Sequence, residues 1–332
     1  MIWFSWRQFR TQTWITVAAL AALGVALVVT GIAIADAYAD VAACDGDCST
    51  VIDIFLREVR SGTSGAVYEL AGMLLFAVPG VIGIFWGAPL IARELETGTH
   101  RLAWNQSVTR TRWLATKLAV IGGATVATVG LLSWAVTAWA SRIDQVTGDR
   151  IMPGVYGARG LVPVGYAAFA FILGVTVGML IRRAVPAMAA TLAIYAAAAV
   201  AMSSSIRAHL VPVSHATPAL DMSALAMFGT VDPDNTVVVL GQEPDRGWVL
   251  SNQTITPNGE VFTGPADPQV CGPDALPRAC EEWIGSLGLR QDLTFHPDSH
   301  FWPLQLVETG ILLAVTALLI GFCFWWVRRR LS

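Results

Sequence analysis

The sequence predicts an all-α polytopic membrane protein with six transmembrane helices, an N-terminal amphipathic interfacial helix and a small extracellular domain between helices five and six. Three observations carry that prediction. Hydrophobic residues make up 55% of the 332-residue chain against 14% charged, with a mean hydropathy of +0.57, a balance that excludes an ordinary soluble domain. Six apolar runs are each long enough to cross a hydrocarbon core of about 30 Å. The arginines collect in alternate connections between those runs, so the net charge of −3 hides a strong asymmetry.

Residues 1–13 set Arg7 and Arg10 opposite Ile2, Trp3, Trp6 and Phe9 on a helix, the pattern of a segment lying along the inner membrane surface with its rings at headgroup depth. Residues 14–35 are an unbroken apolar run, about 33 Å as a helix, and form the first span. Residues 36–65 are acidic and hold Cys44 and Cys48, which places this connection outside. The second span covers 67–91, with a kink expected near Pro79. Residues 114–140 and 161–181 form the third and fourth spans around a polar turn at 141–160, and Arg182-Arg183 marks a tight inner turn. The alanine-rich fifth span, 184–202, has the small side chains that let helices approach closely in lipid. Thus residues 14–206 hold spans one to five, with an inner loop at 92–113. Residues 207–300 contain ten of the sixteen prolines and short β-like runs at 236–240, 247–250 and 260–262, which mark a small folded extracellular domain instead of another span. Residues 301–332 complete the chain as the sixth span and a basic tail, Arg328 to Arg330.

With both termini cytoplasmic, twelve arginines and lysines lie inside against only Glu94 and Glu96, and every short inner connection is arginine-rich. Cys44, Cys48, Cys271 and Cys280 then fall outside, where disulfides persist. Pairing neighbours, Cys44 with Cys48 and Cys271 with Cys280, is the simplest of the three connectivities that four cysteines permit, with a reduced or metal-bound state as the alternative. Cys323 lies near the inner end of the last span.

Several chemistries are excluded. Lys117, the one lysine of the chain, follows Ala115-Thr116 and no glycine-rich turn, so the chain has no phosphate-cradling loop for ATP. Neither a His-Glu-x-x-His helix nor a Gly-x-Ser-x-Gly elbow occurs, and no catalytic residues are assigned. Asp36, Glu69 and Glu308 fall near outer span ends, where a carboxylate reaches water, and none is placed as a midplane proton relay. His296 and His300 share a spacing that puts two imidazoles on one helical face, but exposed loop histidines are usually only that, and no metal site is assigned.

Residues 89–117 are the charged interlude around which the rest is organised. Glu94 and Glu96 are followed by a Gly98-Thr99 break that can end one short helix and start another, then by a basic cluster before the next span, a composition suited to meeting a soluble partner. The run from Arg93 through Glu94, Glu96, Gly98 and Thr99, then Trp104, Ser107 to Arg110 and Lys117, resembles the inner loop of type-2 ATP-binding-cassette export permeases. The six spans and the amphipathic start extend that resemblance over nearly the whole chain, while Ser107 stands where the family pattern has proline. The alanine-, arginine- and tryptophan-rich composition looks like that of an actinobacterial protein.

The resemblance implies a permease subunit without enzyme activity of its own, worked by a separate nucleotide-binding ATPase subunit that holds ATP and Mg, and paired with a second permease as a homo- or heterodimer in the plasma membrane. It implies efflux of an amphipathic or hydrophobic compound such as a drug, antibiotic or lipid. Glu94, Glu96, Gly98, Thr99, Arg101 and Arg110 would couple to the ATPase. Phe76, Pro79 and Phe85 on the second span, with Met188, Leu192 and Tyr195 on the fifth, are the candidate translocation path, although ordinary helix packing is the simpler account of any one of them. The alternative is a membrane-anchored sensor or assembly protein working through its extracellular domain, which has no need of the paired carboxylates.

Overall fold

The computed structural model describes residues 2–99, 109–222, 225–231, 236–243, 246–264, 270 and 277–330. No proline interrupts the first 42 residues, and α1 (Ile2–Ala42) is one unbroken helix. The helix runs without a break through residue 13, where an interfacial segment was expected to give way to the first span, and continues past residue 35 to Ala42. The side chains of residues 1–13, on which the interfacial reading rests, lie outside the described residues. The acidic connection is largely helical too. Asp47 accepts a hydrogen bond from the Ser49 N–H at 3.0 Å at the start of α2 (Ser49–Arg60), an amphipathic helix that buries Phe55 and Val59.

Six helices among the described residues are long and apolar enough to cross a membrane. After α1, the second is composite. Helix α3 (Gly62–Ile82) passes through Pro79, a π-turn follows at Gly83–Gly87, and α4 (Ala88–Glu96) completes it. The disturbance expected at Pro79 thus takes a definite form. The ladder slips by one residue, with the Ala88 N–H bonding to the Gly83 carbonyl. The third is α5 (Arg110–Thr147), capped by the Thr109 hydroxyl, which accepts from the Arg112 N–H, and ended by Gly148 at φ 66°. A short α6 (Pro153–Tyr156) leads to the fourth, α7 (Val162–Ile181). Arg182 takes the left-handed conformation at φ 60°, closing the two-arginine turn before the fifth, α8 (Ala184–Ala201), which continues through a second π-turn at Met202–Ile206 and a short 3₁₀ turn to His209. The sixth is α10 (Phe301–Arg329).

Helix α7 is the centre of this unit, with 83% of its most apolar window buried against neighbours. The alanine-rich fifth span packs against the second and fourth, with 17% of its most apolar window buried. Backbones approach closely between two Gly-x-x-x-Gly pairs, Gly83 with Gly87 and Gly174 with Gly178. A Cβ on Gly174 would lie 2.3 Å from the Gly83 carbonyl oxygen, and one on Gly178 would lie 2.3 Å from that of Ala88. Ile91, Trp113, Leu114, Phe171 and Val175 pack around this contact, while Leu27, Phe55, Leu75, Val136 and Trp139 form a second core among α1, α2, α3 and α5.

Residues 211–301 form a separate compact unit. Strands β1 (Ser214–Ala216), β4 (Gly247–Ile255) and β5 (Arg290–Pro297) make an antiparallel sheet in the order β1-β5-β4, and β2 (Leu225–Val231) pairs with β3 (Thr236–Gly241). Helix α9 (Pro277–Ser286) brings Cys280 and Ile284 against Val239 and Leu289. Two expected strands fall within β3 and β4. The third, at 260–262, contributes only a single bridge from Val261 to Ile255, completing a turn beyond β4.

Candidate coupling hairpin and membrane cavity

The second membrane helix, from Gly62 to Glu96, would be about 52 Å long at 1.5 Å per residue, well beyond a core of about 30 Å, so its charged end projects past the bilayer. That end is α4. Thr97 closes it, returning both its N–H (3.0 Å) and its hydroxyl (2.8 Å) to the Arg93 carbonyl, and Gly98 takes φ 72°, a conformation that favours glycine. The Thr97 and Thr99 hydroxyls share a hydrogen bond of 3.0 Å. Arg101, Trp104 and Ser107 lie outside the described residues, and Arg110 opens α5.

The two carboxylates are engaged within the chain. Glu94 forms an ion pair with Lys117 on α5, both side chains less than one-fifth exposed, and the Lys117 ammonium also donates to the Leu90 carbonyl and lies 4.8 Å from the Trp113 ring centre. Glu96 accepts from the Ala184 N–H at 3.1 Å, satisfying a donor at the start of α8 where the helix dipole favours negative charge. Helix α4 is therefore tied to the third span by one carboxylate and to the fifth by the other. Lys117, read in the sequence as the basic end of the loop motif, is the residue that fastens α4 to α5.

Of the six candidate path residues, the structure brings three together. Phe76, Pro79 and Tyr195 line one cavity of about 180 Å³, walled also by Tyr166, Ser203 and Arg207. Phe85 and Leu192, each about half exposed, and the half-buried Met188 are not part of it. Tyr195 packs closely on the second span, since a Cβ on Gly80 would lie 3.0 Å from its ring, and meets Tyr166 edge-on with centroids 6.2 Å apart.

Beside the cavity is a buried ion pair that sequence reasoning did not find. Arg207 donates from Nε to Glu308 Oε2 at 2.8 Å and from Nη2 to Oε1 at 2.9 Å, the Tyr166 hydroxyl donates to Oε1 at 3.0 Å, and the guanidinium stacks 4.6 Å from the Tyr156 ring centre. Glu308 is fully buried, which corrects the expectation that it reaches water: Arg207, assigned by its sequence position to the start of the outer domain, continues the fifth helix and neutralises it. Burial, reinforced by the Glu308 charge, holds the Tyr156 phenol un-ionised far above its ordinary range. A second buried pair, Arg159 with Asp144 at 2.9 and 3.1 Å, braces the turn ahead of α7, where Gln305 accepts from the Leu161 and Val162 N–H groups at 2.8 and 2.9 Å. The sequence signal for both pairs was a lone charge inside or beside an apolar run, which demands a partner.

The Cys44–Cys48 disulfide forms as the spacing predicts. Cys280 is buried, and Cys271 lies outside the described residues. His296 is buried on β5, with its Nδ1 3.2 Å from that of His300.

A family model described as "ABC-2 membrane transporter related" matches residues 17–207, more than half of the chain. No curated protein matches the chain, and no solved structure does.

Proposed function

We propose that this chain, which belongs to the ABC-2 membrane transporter related family, is the membrane-spanning permease subunit of an ATP-driven exporter. A separate nucleotide-binding subunit, carrying the ATP and Mg, supplies the energy, and a second permease completes the complex in the plasma membrane with both termini of this chain cytoplasmic. The transported compound is amphipathic or hydrophobic, in the class of drugs, antibiotics or lipids.

The observation that carries this reading is the double attachment of α4. A push on the end of α4 is transmitted through Glu94 and Lys117 to the third span and through Glu96 to the first N–H of the fifth, so displacement of one short helix moves two others. The second and fifth spans each carry a π-turn, a place where the hydrogen-bond ladder already has slack, and they share the cavity lined by Phe76, Pro79 and Tyr195. ATP-driven closure of the partner then switches that region between two packings.

The test is co-purification with a candidate ATPase, followed by Glu94→Ala with Glu96→Ala. The expected result is loss of permease-stimulated ATP hydrolysis with the fold retained. Glu94→Lys with Lys117→Glu rebuilds the tie in reverse and is expected to recover coupling. Full coupling in the double alanine variant would refute the lever.

A further inference from the structure

We propose that a groove along the outer half of the second span binds an amphipathic cation, with its ammonium at Glu69 and its apolar body along Met73 and Phe76. The proposal deepens the permease reading, on which it rests, by naming the charge of the compound.

Helix α3 carries Glu69, Met73 and Phe76 at positions i, i+4 and i+7, so the three share one face over about 10 Å at 1.5 Å per residue. All are exposed, Met73 at 65% and Phe76 at 45%, and all line a cavity of about 600 Å³ whose facing wall is α6 and the turn after it, at Val155 and Ala158. A second cavity, of about 550 Å³, adjoins the first, since Tyr68, Glu69 and Val155 line both. Each volume lies within the roughly 300–1,000 Å³ of small-molecule pockets. Missing side chains make the space. At Gly72 on α3 and Gly154 on α6 nothing lies within 4 Å of the Cβ position, and neither residue has the positive φ that would call for glycine on backbone grounds. At its other end the groove meets Phe76, whose ring lies 2.5 Å from the Cβ position of Gly157 and which also lines the 180 Å³ cavity beside Tyr195. The groove is therefore continuous with the candidate path.

Charge selects the ligand. The larger cavity is bordered by Arg159, which Asp144 neutralises, and by Glu69, whose side chain has no hydrogen-bond or ion-pair partner among the described residues. In the adjoining cavity Arg60 and Asp149 contribute one charge of each sign, so the uncompensated charge of the groove is the carboxylate of Glu69. Because Glu69 is exposed and borders both cavities, a group in either can reach it. Its depth suits an amphiphile. Arg93 is exposed at the inner end of the composite helix, and a core of about 30 Å, about twenty residues, extends back from it to Met73. Glu69 then lies about 6 Å farther out, at headgroup depth, with Met73 and Phe76 against hydrocarbon. An amphipathic cation lies in a bilayer the same way, charge at the interface and body below it. An anion would meet Glu69 with like charge, and a neutral compound would gain no attraction from it.

The full chain, without ATPase, is placed in phosphatidylcholine nanodiscs and photolabelled with decylammonium carrying a diazirine at the end of its chain. Decylammonium, decanol and decyl sulfate then compete, each concentration corrected for its uptake by protein-free nanodiscs. The label is expected on the peptide that holds Met73 and Phe76. An ion pair with an exposed carboxylate predicts decylammonium competing about three- to fivefold better than decanol, with decyl sulfate the weakest. That preference should vanish in Glu69→Gln, which removes the charge and keeps the volume, and labelling should fall in Gly72→Leu, which obstructs the groove from a position with open space around it. Equal competition by the three compounds, an undiminished preference in Glu69→Gln, or unchanged labelling in Gly72→Leu would each overturn the proposal. So would loss of labelling when phosphatidylethanolamine replaces phosphatidylcholine, which would assign the groove to a lipid amine. Because no ATPase is present, binding can fail while coupling succeeds, and the reverse.

Discussion

Replacing Gly174 by alanine adds a single methyl group at the place where the fourth span meets the second, and the geometry dictates both the sign and the size of the effect. In an exposed helix interior, alanine in place of glycine stabilises by about 1 kcal/mol, because glycine loses more backbone freedom on folding. At Gly174 the new Cβ would lie 2.3 Å from the Gly83 carbonyl oxygen and 2.7 Å from the Ala88 nitrogen. Ordinary contact begins near 3.4 Å, so the two helices must separate by about 1 Å. Both obstacles are backbone atoms that no rotamer change can move, which puts the cost at the upper part of the roughly 1–3 kcal/mol typical of overpacking. The balance is a destabilisation of about 1–2 kcal/mol. Gly130→Ala is the internal standard, since nothing lies within 4 Å of its Cβ position, and it should stabilise by about 0.5–1 kcal/mol. Equilibrium unfolding of the purified protein in mixed micelles of mild and denaturing detergent measures both. If Gly174→Ala stabilises as Gly130→Ala does, the contact between the two Gly-x-x-x-Gly pairs is not what holds these spans together.

Glu308→Ala strands the Arg207 charge and is expected to cost about 3–5 kcal/mol in the same assay, while Glu308→Gln with Arg207→Gln costs far less, because the two losses are coupled and not additive. Arg159→Met should behave like Glu308→Ala, leaving Asp144 buried and unpaired, with recovery in Arg159→Met combined with Asp144→Leu. Reducing the Cys44–Cys48 bridge, or Cys44→Ser with Cys48→Ser, opens a loop of only a few residues and is expected to cost about 2 kcal/mol by loop-closure entropy, read as an equal downward shift under dithiothreitol in the wild-type protein and none in the variant.

The number and order of the apolar spans, the charged hairpin between the second and third, the close pair Cys44 and Cys48, and two strands of the 211–301 unit were all legible in the residues. Each depends on interactions within a few turns of chain: hydropathy over about twenty residues, arginines flanking an apolar run, alternation over six. At the first span the local signal and the helix end at different places. Asp36 and Asp40 mark where polarity rises, but with no proline or capping residue to stop it the helix runs to Ala42. Nothing in the spacing of Gly83 and Gly87 or of Gly174 and Gly178 names the helix that each approaches.

What the tertiary structure alone decided is which charges meet. Glu94 finds Lys117 and Glu96 finds the N–H of Ala184, 23 and 88 residues along the chain, and Arg207 finds Glu308 at a separation of 101. A charge that must leave water takes its partner from whatever the packing of the spans brings within 3 Å, and that packing is settled by the fit of glycines and aromatic rings between helices. The sequence by itself determined that these ionised groups lie in or beside apolar helices and so require partners; only the folded arrangement of those helices selected them.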